Sequence, residues 1–350
     1  MRRFWRQGIS LVALAAAVGL WCLSPTLARG PGGGGGGGGP GQNGGGVIYF
    51  YYQGDVYTMN DDGSGIALVP RTPEGFSAHG VPSRQLHAGK RWFLSYYPVP
   101  GEFYPDGNPR DQFVALSDGG DVVPLPLPAD LDPLGDPRWG VGDGFLSWVG
   151  RRWGSGTVVE GGLYITGLTF DDQGGVNGVT SSTLLVDFPL VVTEYSGRSG
   201  LVPDIVSHDW SPNGTKFVFE NDARDTLAIH NVQTGGGQVI FADPVQPMNT
   251  PLWSPAGDRI MFNYFTGWNQ VTLINPDGSG LKKLVGSAPS WSRTAGVWSP
   301  TGSHLLYQHR DHFYQDSYIV RVKANGSDPT RVTGKDLGWG FSYPRPMGWR

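Results

Sequence analysis

Cysteine is almost absent from this sequence: Cys22 is the only one among 350 residues. The chain therefore cannot form an internal disulfide or a cysteine-ligated metal site. Charged residues are also scarce, at 16% of the chain, and the formal net charge is −4. Because the chain is mildly acidic and shows no basic stripe, we expect no binding to nucleic acid or to an anionic membrane surface.

Long apolar runs are scarce as well. The apolar run at 9–23 has 15 residues, whereas a membrane-spanning helix needs about 20. Three arginines precede this run, and the small residue Ala28 follows it. Residues 1–28 thus have the three parts of a secretory signal, with an uncleaved anchor as the alternative interpretation. We therefore expect the protein to be periplasmic or secreted, with no integral membrane segment after cleavage.

Glycine and proline, in contrast, are abundant, at 56 and 28 residues. Residues 29–46 consist mostly of glycine, cannot bury apolar surface, and are predicted to form a flexible linker. The chain also contains 13 Trp, 14 Tyr and 16 Phe, which are enough aromatic side chains for a sizeable core. Turn-forming residues combined with aromatics favour many short strands, so an all-β domain is predicted over 47–350.

The segment Trp-Ser-Pro-x-Gly occurs three times in the second half of the chain. Its tryptophans are 43 and 45 residues apart, which matches the period of about 40–45 residues of a four-stranded propeller blade. Proline restricts the backbone and glycine adopts positive φ, so the segment predicts a tight turn. The preceding tryptophan is suited to the gap between neighbouring blades. The repeated residues are Trp210, Pro212, Gly214, Trp253, Pro255, Gly257, Trp298, Pro300 and Gly302.

A second repeated element, a strand followed by Asn-x-Asp-Gly-Ser-Gly, lies at 56–65 and 271–280. Asp-Gly between extended segments predicts a hairpin. Together the two elements resemble the TolB-type propeller repeat. The resemblance covers nearly all of the chain after the linker. The resemblance implies a six-bladed β-propeller of four-stranded antiparallel blades and a role in cell-envelope protein assembly. Proteins of that family carry an α/β domain before the propeller, where this chain has the glycine-rich linker.

The repeats predict a closed ring of six blades. The 71 residues from Trp139 to Trp210 exceed one plain blade, and we interpret them as one blade with an insertion. The sixth blade is split, because 47–71 lack a first strand and 337–350 resemble a lone first strand. Pairing these two segments would remove two exposed sheet edges, so deletion of 337–350 should cause aggregation or a large loss of melting temperature. The other blades are predicted at 78–128, 135–190, 202–245, 248–288 and 292–334.

Few catalytic patterns are present. The chain contains no Gly-x-Ser-x-Gly elbow, no His-Glu-x-x-His and no phosphate-binding loop, which are the signatures of common hydrolases, metalloproteases and nucleotide-binding proteins. The candidate ligands of a divalent metal are His309, Asp311 and His312, on a predicted loop near the mouth of the central channel. The alternative interpretation is a polar surface loop, and no other cofactor is expected.

Aromatic residues and arginines recur in the predicted connections between the second and third strands of several blades. These residue types are enriched in protein-binding hot spots, so a partner could dock on this face. The alternative is that the aromatics cap the blades. The candidate partner-binding residues are Tyr96, Tyr97, Trp148, Arg151, Arg152, Trp153, Tyr264, Trp268, Phe313 and Tyr314.

The leading functional prediction is an exported, monomeric and non-catalytic scaffold that binds a protein or peptide of the cell envelope. The alternative is a propeller-based polysaccharide lyase or hydrolase that uses a metal near the channel mouth, with aromatics stacking on sugars. Stoichiometric metal in the purified protein, lost on His309→Ala and His312→Ala, would favour the enzyme. Whether the chain is an enzyme stays open at this stage.

Overall fold

Strands make up nearly all of the regular secondary structure in the computed structural model. The only helical segment among the described residues is a 3-10 turn at Val141–Asp143, and none of them forms a helix that is long and apolar enough to span a membrane. The described residues belong to one compact unit, 40–350. The predicted signal and all of the predicted linker except Gly46 lie outside them. The structure describes residues 46–53, 55–69, 77–78, 82–193, 200–284, 291–311, 316–333 and 344–350.

The strands are numbered in chain order, and most are four to eight residues long because turn residues separate short runs of aromatic and β-branched side chains. Their bounds are β1 (Val47–Tyr52), β2 (Asp55–Asn60), β3 (Ala67–Leu68), β4 (Ser77–Ala78), β5 (Trp92–Phe103), β6 (Pro109–Ser117), β7 (Val122–Leu125), β8 (Leu131–Pro133), β9 (Arg138–Trp139), β10 (Phe145–Gly154), β11 (Thr157–Phe170), β12 (Val176–Asp187), β13 (Leu190–Thr193), β14 (Gly200–Pro203), β15 (Ser207–Trp210), β16 (Lys216–Glu220), β17 (Thr226–Asn231), β18 (Gly236–Ala242), β19 (Met248–Trp253), β20 (Ile260–Phe265), β21 (Asn269–Ile274), β22 (Lys282–Lys283), β23 (Trp291–Trp298), β24 (His304–Asp311), β25 (Ser317–Lys323), β26 (Thr330–Arg331) and β27 (Arg345–Trp349).

These strands form six antiparallel blades and one separate hairpin. Four blades have consecutive strands in the orders β4-β5-β6-β7, β15-β16-β17-β18, β19-β20-β21-β22 and β23-β24-β25-β26. The blade β12-β11-β10-β8 has an interrupted first strand, because β8 and β9 both pair with β10 at different points. The sixth blade has the order β27-β1-β2-β3. The predicted six-bladed, all-β propeller is confirmed.

The ring is closed by the two ends of the domain. β27 pairs with β1 in a register that places Ile48 opposite Trp349 and Tyr49 opposite Gly348. Backbone hydrogen bonds of 2.6 and 2.9 Å between Val47 and Arg350 continue this pairing. The predicted closure by a carboxyl-terminal first strand is confirmed, and 337–343 lie outside the described residues.

The Trp-Ser-Pro-x-Gly segments form the predicted turns. The glycine of each turn has a φ between 69° and 77° and donates its N–H to the serine carbonyl three residues earlier, at 2.9 Å. The tryptophans before these turns, Trp210, Trp253 and Trp298, are only 3–7% exposed. A positive φ is available to glycine at little cost, which explains why the repeat requires glycine at this position.

The long interval after Trp139 contains one enlarged blade and the hairpin β13–β14. β10, β11 and β12 have 10, 14 and 12 residues, so this blade is longer than the others. The hairpin contacts the blade through Arg151, whose Nη1 donates to the Leu201 carbonyl at 3.0 Å. The interval thus holds one blade with an added segment, and that blade begins at Leu131 rather than at the predicted residue 135.

The first strands of neighbouring blades pack closely at two glycines. A Cβ atom at Gly348 would lie 2.1 Å from Pro82 Cγ, and one at Gly296 would lie 2.1 Å from Pro346 Cγ. Real Cβ atoms cannot approach that closely, so only glycine allows this spacing. Glycine at these two positions therefore lets β27 fit between its neighbours and sets the width of the space that the first strands enclose.

Candidate functional site

A cavity of about 520 Å³ lies where the first strands of the six blades meet. Its volume is in the range of small-ligand sites, roughly 300–1,000 Å³. Four lining residues are exposed and border its opening to solvent: Asp136, Pro255, Pro300 and Arg345. Every blade contributes to a lining whose charged and polar members include Arg84, Asp136, Arg138, Asp209, Thr250, Thr294, Gln308, Arg345 and Arg350.

The charged lining is predominantly positive: four arginines face two aspartates. The guanidinium of Arg350 donates to backbone carbonyls, those of Trp349 at 3.2 Å and of Pro82 and Ser83 at 3.4 Å. The guanidinium carbon of Arg345 lies 5.4 Å from the centroid of the Tyr51 ring. In the described part of the chain, the buried Nε of Arg138 has no hydrogen-bond partner. The cavity thus presents cationic groups that are incompletely neutralised.

Asp209 is the negative group that lies deepest among these arginines. Its Oδ2 accepts a hydrogen bond from the backbone N–H of Trp253 at 2.7 Å, which joins two neighbouring blades. Burial raises the pKa of the Asp209 carboxyl, and the positive charges of Arg84 and Arg138 oppose that rise. Asp209 can therefore neutralise only part of the arginine charge around it.

Behind the cavity wall, His208 belongs to a buried hydrogen-bonded chain. Its Nε2 lies 2.7 Å from Ser147 Oγ, which also accepts a hydrogen bond from Trp210 Nε1 at 2.7 Å. Burial lowers the pKa of His208 to about 3, so the imidazole is neutral at physiological pH. Ser147 is 0% and His208 1% exposed, so this pair is closed to substrates and fixes the first strands in place.

Thr250 brings strained backbone to the cavity wall. Its φ is 53°, which is unusual for a β-branched residue. The bulge between Asn249 and Leu252 accommodates this conformation. Glu220 Oε2 accepts a hydrogen bond from the Thr250 N–H at 2.6 Å, and Asn263 Nδ2 donates to Thr250 Oγ1 at 2.9 Å. Strained residues held by surrounding contacts are concentrated at functional sites, so Thr250 supports the cavity as the site.

Solved structures with this arrangement come from proteins of diverse function, whereas no protein-family model matches the chain. A chain of the nidogen–laminin complex has 10% identity and a TM-score of 0.51, with coverage of 87% of this chain and 97% of that one. Puromycin hydrolase has 16% identity and a TM-score of 0.50, with coverage of 81% and 42%. TolB from Acinetobacter baumannii has 11% identity and a TM-score of 0.44, with coverage of 86% and 82%. The chain has a β-propeller fold.

In this propeller, most candidate partner-binding residues lie in strands rather than on the predicted loops. Tyr96 and Tyr97 are in β5, and the four candidates from Trp148 to Trp153 are in β10. Tyr264 is in β20, and Trp268 lies on the connection to β21. For the candidates in β5 and β10 the loop prediction failed because these strands, with 12 and 10 residues, extend beyond the usual length. Phe313 and Tyr314 lie outside the described residues.

Several of these side chains are buried in the propeller. Trp148 is 0% exposed, stacks on Tyr164 at a centroid distance of 4.7 Å, and donates its Nε1–H to Thr166 Oγ1 at 3.0 Å. Arg151 is 1% and Tyr264 8% exposed. Trp148 and Arg151 therefore stabilise the enlarged blade and cannot contact a partner while the protein stays folded.

Four other candidates are half-buried: Tyr96, Arg152, Trp153 and Trp268. The hydroxyl of Tyr96 donates to the Gly135 carbonyl. Arg152 forms ion pairs with Asp130 at 2.7 Å and Glu160 at 3.0 Å. Trp153 and Trp268 are half-buried, so a role of these two in partner binding stays a prediction.

The candidate metal ligands lie at the end of a strand, not on the predicted loop. His309 and Asp311 belong to β24, and His309 is buried and stacks on Tyr318 at 4.6 Å. Burial lowers the pKa of His309, and the charge of Arg293 adds to that effect. Within the described ranges, no group of three or more His, Cys, Asp or Glu side chains could hold a metal ion. His312 lies outside those ranges, so the metal and the enzyme hypothesis stay predictions.

The cavity arginines were missed by sequence reasoning, although a signal for some of them was present. Arg138 and Asp209 each directly precede the tryptophan that ends a first strand. Because side chains alternate along a strand, the residue before an inward-packed tryptophan faces the channel. Comparison of this one position across the repeats would have identified Arg138 and Asp209. Arg345 and Arg350 carry no such signal, since their strand lacks the intact motif.

Glu220 gives the cavity wall a measurable pH dependence. Its carboxyl is 1% exposed, and burial raises its pKa to about 7, from an ordinary value near 4.5. Between these two values the folded state keeps a proton that the unfolded state releases, so the free energy of unfolding falls as pH rises. In the wild type, this decrease in the free energy of unfolding is at most roughly 3 kcal/mol between pH 4.5 and 7. We expect Glu220→Gln to abolish it, because glutamine does not ionise.

Urea denaturation of both proteins at pH 5 and pH 8 measures this effect. The variant should be more stable relative to the wild type at pH 8 than at pH 5. His208 contributes the opposite trend, because its lowered pKa makes unfolding easier in acid. That contribution is the same in both proteins and cancels in the comparison. An equal stability difference at the two pH values would show that Glu220 is ionised normally in the fold.

Proposed function

We propose that this propeller is an exported, non-catalytic binding scaffold that takes a segment of a partner protein or peptide into its axial cavity. The observation that carries the proposal is the cavity itself, which all six blades line with residues of their first strands or of the segments next to them. These strands are paired in sheets and packed against each other, so the site is rigid before the partner arrives. Rigid sites lose little conformational entropy on binding, which favours recognition.

The cell envelope is the proposed location, and the predicted signal at 1–28 supports it. The predicted linker at 29–46 would leave the propeller free to reorient while it holds its partner. The proposal keeps the predicted scaffold function and moves the binding site from the blade connections to the propeller axis. Support for that move comes from the burial of Trp148 and Arg151 and from the strained Thr250 at the cavity wall.

Affinity capture from envelope extract tests the proposal. Thr294 lines the cavity, and Thr294→Trp should fill part of it and abolish capture of partners that the wild-type propeller retains. Val245 is 75% exposed and outside the cavity lining, so Val245→Trp is the matched control and should capture normally. Thermal melts of all proteins establish that the variants are folded.

The same experiment separates the cavity from the blade connections. A variant with Trp153→Ala and Trp268→Ala should keep its partner if the cavity is the site. Capture that survives Thr294→Trp but disappears in this double variant would overturn the cavity proposal. Because the sequence has one cysteine, Thr294→Cys in a Cys22→Ser background also allows a single-site crosslinker to identify the bound segment by mass spectrometry.

A further inference from the structure

The charge of the axial cavity is opposite to that of the whole chain. The chain has a formal net charge of −4, yet four arginines and only two aspartates line the cavity. A cleft lined by one sign of charge concentrates ligands of the opposite sign. The charge of the lining therefore selects among the segments that could enter.

Among the described residues, the arginines of the cavity form no ion pair, although Asp209 is close enough to act electrostatically on Arg84, Arg138 and Arg350. None of Arg84, Arg138, Arg345 and Arg350 forms an ion pair within the described part of the chain, whereas Arg151, Arg152 and Arg331 elsewhere in the propeller do. Arg350 donates only to backbone carbonyls there, and the buried Arg138 Nε donates to no acceptor. Arg84, Arg138 and Arg350 are half-buried, so their charges are partly desolvated and would be stabilised by an anionic ligand that hydrogen-bonds to them.

Mutual repulsion supports the same conclusion. The pKa of Arg350 is lowered to about 10, first by burial and then by the positive charges of Arg84 and Arg91, which outweigh the opposing effect of Asp143 and Asp209. Each additional positive charge in the cavity raises the electrostatic free energy of the neighbouring protonated arginines. An anion bound between Arg350 and Arg84 would relieve this repulsion, and the planar guanidinium group matches a carboxylate with two parallel hydrogen bonds.

We propose that the axial cavity binds an acidic polypeptide segment whose carboxylates are held by Arg84, Arg138 and Arg350. This inference rests on the proposed binding function and names the chemistry of its partner. Asp136 and Asp209 supply acceptors for backbone N–H groups of the same segment. The exposed Arg345 at the mouth guides the segment into the cavity.

A peptide fits the lining better than an acidic sugar does. Carbohydrate sites present flat aromatic faces, but the lining tryptophans Trp139, Trp210, Trp253 and Trp298 are only 3–7% exposed. The ring of Tyr51 is covered by the guanidinium of Arg345. The lining thus combines arginine side chains, aspartate oxygens that can accept hydrogen bonds from backbone N–H groups, and small apolar surfaces. This combination suits a polypeptide in extended conformation.

Calorimetric titration of the purified propeller with three capped tetrapeptides tests the proposal. One contains two aspartates, the second has asparagines in their place, and the third has lysines. We expect the aspartate peptide to bind at least about tenfold more tightly than the other two, and its affinity to fall as salt rises. Equal binding of the aspartate and asparagine peptides, without salt dependence, would overturn the proposal even if no variant folds.

Two arginine variants assign the effect to the cavity. Arg84→Gln combined with Arg138→Gln should weaken the aspartate peptide about tenfold or more and leave the asparagine peptide unchanged. Arg259 lies outside the cavity lining and is 41% exposed, so Arg259→Gln is the control and should bind like the wild type. An equal loss in both variants would mean that the peptide binds by overall charge and not in the cavity.

Two further outcomes separate this inference from the proposed function. If envelope partners are captured through the cavity but the crosslinked segment is neutral or basic, the scaffold proposal stands and the acidic segment is wrong. If the aspartate peptide binds in the cavity but no partner is captured through it, the recognition chemistry stands and the scaffold proposal fails. Glucuronic acid that binds more tightly than the aspartate peptide would overturn the choice of a polypeptide.

Discussion

Deletion of residues 345–350 is expected to cause aggregation or to abolish the cooperative thermal transition. Removal of β27 would leave β1 as an exposed edge, and such edges template association between chains. It would also uncover Ile48 and Phe50, which are 0% exposed in the closed ring. Light scattering and differential scanning calorimetry of the shortened and full-length proteins measure the two effects.

A single substitution tests closure without shortening the chain. Trp349 is 4% exposed and packs with Phe50 and Met59 in the core of the closing blade. We expect Trp349→Ala to lower the free energy of unfolding by about 3–5 kcal/mol, whereas Val245→Ala at an exposed site should change it by less than about 0.5 kcal/mol. A normal thermal melt of the deletion variant would contradict a stabilising closure.

The second large effect is expected from the buried ion pair of the enlarged blade. Arg151 lies opposite Asp132 across the strands, with 2.9 Å between Arg151 Nε and Asp132 Oδ2, and the two are 1% and 0% exposed. Asp132→Ala would leave the guanidinium buried with Asp106 as its remaining ion-pair partner. We expect this change to cost about 3–5 kcal/mol in the free energy of unfolding, as urea denaturation can measure.

Two controls identify the cause of that loss. Asp328 pairs with Lys323 on the surface, and exposed pairs contribute little, so Asp328→Ala should cost much less than Asp132→Ala. The double variant Arg151→Met with Asp132→Leu removes both buried charges and should recover most of the lost stability. Asp106 loses Arg151 as well, but its side chain is 19% exposed and keeps two hydrogen bonds from Asn108. If the double variant is as unstable as Asp132→Ala, the loss reflects packing and not an uncompensated charge.

The repeat made the architecture predictable. Trp-Ser-Pro-x-Gly fixes a turn through proline and through glycine at positive φ, and it places a tryptophan at the blade boundary. Both are local properties of a few consecutive residues, so sequence spacing was enough to count blades. The same reasoning predicted that the two ends share a sheet, because an open ring would leave two unpaired edges.

The candidate binding residues were harder to predict, since burial depends on how far a strand extends. Trp148 and Arg151 have the composition of a binding surface, but β10 and β11 continue past them and enclose both. An aromatic or arginine side chain has the same sequence signature in a core and at an interface. The site residues therefore could not be separated from the blade core by residue type alone.

The sequence by itself determined the blade and the turns that join its strands, because these depend on residues close together in the chain. It also determined the need for a closing strand, because an open ring would leave two unpaired edges. Only the tertiary structure decided which charges meet at the axis. Arg84, Arg138 and Arg350 come from three different blades, and their proximity follows from the closed ring and from close packing at Gly348. Electrostatic interactions depend on distance in space, so the positive cavity exists only once the ring has closed.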